Sequence, residues 1–83
     1  MTEMPVTALI ADDEPLLRER LAAHLARLWP GLQVVAQARN GREALEAFDQ
    51  HGPQVAFLDV HMPGLNGIEA ARGMAGRTEI VFV

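Results

Sequence analysis

Four apolar runs punctuate the chain, and stretches of helical spacing lie between them. Val6 to Ala11 is aliphatic and β-branched, the pattern of a strand buried on both faces. From Pro15 the period changes. Leu17, Leu21, Leu25 and Leu28 fall on one stripe while Arg18, Glu19 and Arg27 lie off it, which predicts a helix opened by Pro15 and stopped by Pro30-Gly31. Leu32 to Ala38, centred on Val34-Val35, predicts a second strand. Asn40 and Glu43 stand at capping-box spacing, so a helix should run from Gly41 to His51, with Gly52-Pro53 as its stop. Gln54 to Asp59 predicts the third strand. Asn66 and Glu69 repeat the capping spacing, so a third helix should begin near Gly67 and fade at Gly73 and Gly76. Glu79 to Val83 opens a fourth strand.

Strands alternating with helices through short connections predict an α/β fold with a parallel sheet, because parallel neighbours need a crossover and a helix supplies it. In such sheets ligands sit outside the carboxyl ends of the strands, where strand order reverses. Two strands end there in acids: the first in Asp12-Asp13-Glu14 and the third in Asp59. If they are neighbours, about 4.8 Å apart, their carboxylates come within reach of one ion. Three like charges so close repel one another, and a cation removes that penalty. Magnesium suits a few carboxylates plus water and phosphate oxygens. A carboxylate can also attack phosphorus to form an acyl phosphate. Asp59, alone at its strand end before a loop, is the candidate nucleophile, with Asp12 and Asp13 as metal-holding partners.

Each piece has a plainer reading. A single Asp after a strand is usually a turn or cap residue, and acids before Pro15 suit a helix N-terminus. The pair at one edge, with the loop Met62-Pro63-Gly64 and the turn Asn66-Gly67, shifts the balance to function. His61 reads as a surface residue whose backbone carbonyl is the relevant contact. His24 and His51 have no partner at ligand spacing, and Met62 and Trp29 read as packing residues.

At 83 residues the chain makes one small domain, and its 49% apolar and 22% charged composition is that of a globular protein. A net charge of −4, with arginine but no lysine, leaves no basic stripe for nucleic acid, so direct DNA contact by this segment is not expected. No cysteine means no disulfide, thiolate zinc site or cysteine nucleophile. No basic leader and no long apolar run point to a cytoplasmic protein without membrane contact.

The chain resembles the receiver domain of bacterial two-component response regulators over Val6 to Val83. The resemblance rests on Ala11-Asp12-Asp13-Glu14-Pro15, on Asn40-Gly41 with Glu43-Ala44-Leu45, and on Phe57-Leu58-Asp59-Val60-His61-Met62-Pro63-Gly64 followed by Asn66-Gly67. It implies a flavodoxin-like fold with strand order 2-1-3-4-5. It also implies phosphate transfer from a sensor histidine kinase to Asp59, and Mg2+ held by Asp12, Asp13, Asp59 and the backbone carbonyl of His61. Pro63, Gly64 and Gly67 shape the loop. Such a domain is a regulatory phosphoacceptor rather than an enzyme, and it controls an output such as transcription. The stretch from Leu58 to Gly67 also resembles receivers joined to LytTR-type DNA-binding domains.

Family receivers carry a Ser or Thr after the fourth strand and a Lys after the fifth. Residues 1–83 reach neither, so the expectation is a receiver truncated after its fourth strand, with no output domain and poor phosphotransfer. An apolar fourth strand without a neighbour leads to the further expectation of a homo-oligomer. Two other readings stand beside this one. An Asp-nucleophile phosphatase shares the strand-end carboxylate but carries a second acid two residues on, where this chain has His61; a pure interaction module would keep the fold without phosphorylation. A dinucleotide-binding domain is set aside, because three acids replace the glycine-rich turn.

Overall fold

The computed structural model describes residues 5–83, so the Met1–Met4 stretch read for a leader lies outside the described residues. The elements are β1 (Val6–Ala11), α1 (Pro15–Leu28), β2 (Leu32–Ala38), α2 (Gly41–His51), β3 (Val55–Leu58), α3 (Gly67–Met74) and β4 (Glu79–Phe82). Two strands, β3 and β4, are shorter than the spans Gln54 to Asp59 and Glu79 to Val83 expected from the sequence. Gln54 and Asp59 still bond to β1 through Thr7 O and Ala11 O, but the backbone turns away at Asp59; Val83 likewise only adds its N–H to Leu58 O.

The four strands are all parallel, in the order β2-β1-β3-β4. The chain leaves β1 toward one side to make β2 and returns past β1 to make β3, so the order reverses between β1 and β3. Their carboxyl ends therefore flank the crevice where α/β sheets bind ligands.

The period of two along each strand divides the core. Leu9 and Ala11 of β1 and Ala56 and Leu58 of β3 face α2 and α3, joining Ala44, Phe48, Met62, Ala70 and Met74. Ala8, Ile10, Val55 and Phe57 face the other way, toward α1. There the leucine stripe is only partly used. At ~100° per residue, Leu17 and Leu28 fall within about 20° of each other on one flank, and both are exposed. Leu21, Leu25 and Ala22 cover the next ~100° and pack on the sheet. Helix α1 has no fully buried residue, whereas α2 and α3 bury three and four.

The caps also differ from expectation in one detail. Asn66 and Glu69 form the full reciprocal box at α3. At α2 the Asn40 side chain accepts from Glu43 N as expected, but Glu43 reaches one residue further back, to Arg39 N at 3.0 Å, and pairs with the Arg39 guanidinium. A partner of opposite charge draws the carboxylate past the Asn40 amide. Met62 is buried as a packing residue; Trp29, at the end of α1, is 41% exposed. Among the described residues β4 pairs with β3 alone, and Val81 and Phe82 are exposed.

Candidate metal centre

Register brings the acids together. Ala11 pairs with Leu58 across β1 and β3, so Asp12 and Asp59 are the next residues along two adjacent strands. Each continues a ladder by one bond: Asp12 N donates to Ala38 O at 3.0 Å, and Asp59 N to Ala11 O at 2.9 Å. Beyond that point both turn by the same device. The Asp12 carboxylate accepts from Glu14 N at 2.9 Å, and the Asp59 carboxylate accepts from His61 N at 3.1 Å, each an Asx turn that starts a loop.

One carboxylate oxygen each from Asp12, Asp13 and Asp59 lies within 4.8 Å of the others. Asp12 is buried, Asp59 half-buried and Asp13 exposed, so the cluster opens to solvent through Asp13 and Asp59. Among the described residues the ion pairs are Arg39–Glu43 and Arg42–Glu46, both involving α2 and neither touching these acids. Three uncompensated carboxylates, offering oxygen only, fit a hard divalent cation that completes its shell with water.

The loop after Asp59 is shaped by two glycines and an anchor. Gly64 has φ of +70°, a conformation that favours glycine. At Gly67 a Cβ would stand 2.1 Å from the Asp59 carbonyl oxygen, so a side chain there would push the acid's own backbone. Gly67 N also donates to Val60 O at 3.2 Å. Met62 enters the core beneath α2 and α3, while Pro63 stays exposed. Gly41 plays a related part from α2, donating to Leu65 O at 3.0 Å.

His61 is exposed and contributes its N–H to Asp59. His24 and His51 are exposed on helices and take no part in the cluster. Thr78 lies before β4, at the opposite edge of the sheet from the acids, where its hydroxyl donates to Pro53 O at 3.0 Å. One contributor was missed by the periodicity reading. Arg18, set aside as off the leucine stripe, donates from Nη1 to the Asp12 carbonyl at 2.8 Å and from Nε to Gln37 Oε1 at 3.3 Å. Its signal was an arginine one turn into the helix that follows the acids.

Comparison with known proteins bears on the fold that carries this cluster. The family model described as the response regulator receiver domain matches residues 8–83. An uncharacterized response regulatory protein of Vibrio cholerae is 49% identical over 83 residues, all of this chain and 32% of that protein. The sensory transduction protein LytT of Oceanobacillus iheyensis is 38% identical over 76 residues, 92% of this chain and 30% of its own length. Among solved structures, the signal receiver domain of the putative response regulator NarL from Mycobacterium tuberculosis has a TM-score of 0.88 at 34% identity, covering 96% of this chain and 66% of that one. The chain thus spans about a third of the length of these curated relatives.

Proposed function

Because this chain belongs to the response regulator receiver family, we propose that Asp59 is its phosphoacceptor and that Asp12, Asp13 and Asp59 together hold Mg2+. The observation that carries this reading is the meeting of three carboxylate oxygens within 4.8 Å at the point where strand order reverses. Family membership leaves the Asp-nucleophile phosphatase reading without support.

The roles follow from the surroundings of each acid. Asp12 is buried and tied to Glu14 N, which suits a fixed ligand. Asp59 is half-buried, with Oδ1 held by His61 N, so Oδ2 is left to attack phosphorus. In that step an Asp59 oxygen–phosphorus bond forms as the phosphorus–nitrogen bond of a phosphohistidine breaks. The imidazole leaves with the bonding pair and a proton. When bound, Mg2+ offsets the negative charge of the acids and the transferring group. The His61 carbonyl is read as a further ligand, and Pro63, Gly64 and Gly67 hold the loop open around Asp59.

The chain is read as a regulatory acceptor that catalyses at most its own phosphorylation and dephosphorylation. Its partner is a sensor histidine kinase and its setting the cytoplasm; no helix among the described residues is long and apolar enough to cross a membrane. Residues 1–83 are read as receiver throughout, and the resemblance of the stretch from Leu58 to Gly67 to receivers joined to LytTR-type domains is what supports a DNA-binding output elsewhere in the whole protein. Association of two copies is a separate proposal, which sedimentation at two concentrations decides.

The test is incubation with magnesium and a small phosphodonor. The expected product is an acid-stable, base-labile phosphoryl adduct on Asp59, absent from Asp59→Asn and after chelation of the metal. An adduct of wild-type yield on the Asn variant would contradict the assignment.

A further inference from the structure

We infer that Arg18 is a positioning residue for the acid cluster: its guanidinium clamps the Asp12 backbone to β2 and thereby sets the spacing of Asp12 and Asp13 against Asp59. The inference rests on the metal-site reading above and deepens it. Arg18 is half-buried on a helix that is otherwise largely exposed. Its fork uses two arms: Nη1 on the Asp12 carbonyl at 2.8 Å and Nε on Gln37 Oε1 at 3.3 Å. Gln37 is the β2 residue before Ala38, whose carbonyl accepts the Asp12 N–H at 3.0 Å. Asp12 is therefore gripped by β2 on both sides of its peptide, directly through its N–H and by way of Arg18 through its C=O. A planar guanidinium can bond two acceptors in a fixed relation; an ammonium cannot.

The need for the clamp comes from packing. Asp13 belongs to the loop that feeds α1, and α1 presses on the sheet with only Leu21, Ala22 and Leu25. Three mutually repelling carboxylates push that loop away from Asp59. A donor on the Asp12 carbonyl opposes the displacement without neutralising a ligand oxygen.

Charge and position make opposite forecasts. As a bare cation near the site, Arg18 would repel a metal ion, and its removal would tighten binding. As a clamp, its removal loosens the ligand set and weakens binding, as loss of a hydrogen bond behind a metal ligand usually does, by roughly tenfold at the low end.

The test measures Mn2+ binding by electron paramagnetic resonance, with the melting temperature of the metal-free protein recorded in parallel. Arg18→Met keeps the apolar stem and is expected to weaken Mn2+ binding roughly tenfold with little change in melting. Arg18→Lys should recover part of the loss, since it restores one donor. Gln37→Leu removes only the anchor and should weaken binding measurably but less than Arg18→Met; it decides the matter if Arg18→Met does not fold. Unchanged or tighter binding in the folded variants overturns the clamp. Failure of the wild-type protein to bind Mn2+ instead overturns the metal-site reading on which it rests.

Discussion

The two loops that meet at the acid cluster are held in different ways. The loop after β3 is built into the densely packed side of the sheet: Met62 is buried under α2 and α3, Gly67 lies against the Asp59 carbonyl, and Leu65 accepts from Gly41. The loop after β1 leads into α1, which buries no residue fully, and its polar hold on β2 comes from Asp12 N on Ala38 O and Arg18 Nε on Gln37 Oε1. Packing fixes Asp59 and polar contacts fix Asp12. Steric rearrangement costs most in the first loop, whereas ligand geometry should be easiest to loosen in the second.

Large changes on the packed side sharpen the contrast first. Met74→Ala empties a fully buried site facing α2 and should cost about 3 kcal/mol in urea unfolding. Leu21→Ala, half-buried on the α1 side, should cost only about 1 kcal/mol. Equal losses would mean that the two faces carry similar load. Gly67→Ala forces a methyl against the Asp59 carbonyl and should destabilise by about 2 kcal/mol while also weakening metal binding. Gly64→Ala, strained only by its positive φ with open space around it, should cost about 1 kcal/mol.

A smaller effect is expected at the α3 cap. Asn66→Ala removes the acceptor for Glu69 N and should cost about 1 kcal/mol, read from the same unfolding curves.

The smallest concerns acid. The hydrogen bond from the Arg39 side chain first, then that from the Arg39 N–H, and less strongly the charges of Arg39 and Arg42, hold the Glu43 carboxyl down from 4.5 to about 2. A depressed carboxyl contributes stability above its unfolded value that disappears as pH falls from 4.5 through about 2. The pair is open to solvent, so screening keeps the contribution slight. Amide resonances of Arg39 and Glu43 should shift together across that window, and Glu43→Gln should abolish the transition. Independent titrations of the two amides would break the proposed link.

Much of this arrangement was legible before any coordinates. Apolar runs, the leucine spacing after Pro15 and the two capping spacings are local signals, and they located every element among the described residues; the acids ending β1 and β3 were visible because strand ends converge at one edge of a parallel sheet. What stayed hidden depends on rotation and distance. The leucine stripe on α1 does not say which flank meets the sheet: Leu17 and Leu28 share it with Leu21 and Leu25 but stand exposed. Glu43 was read to return to Asn40 and goes to Arg39, because capping spacing ignores a nearby guanidinium. Arg18 carries a contact between a helix and a neighbouring loop, for which apolar periodicity has no sign.

The central claim is that two differently supported loops form one ligand set. A double-mutant cycle on Mg2+ affinity, using Asp13→Asn, Asp59→Asn and the double variant, tests it most directly. If both acids serve one ion, each single variant weakens binding and the double variant loses less than their sum, with a coupling of about 1 kcal/mol or more. Strictly additive losses, or a single variant with wild-type affinity, would show that the two loops do not share a metal.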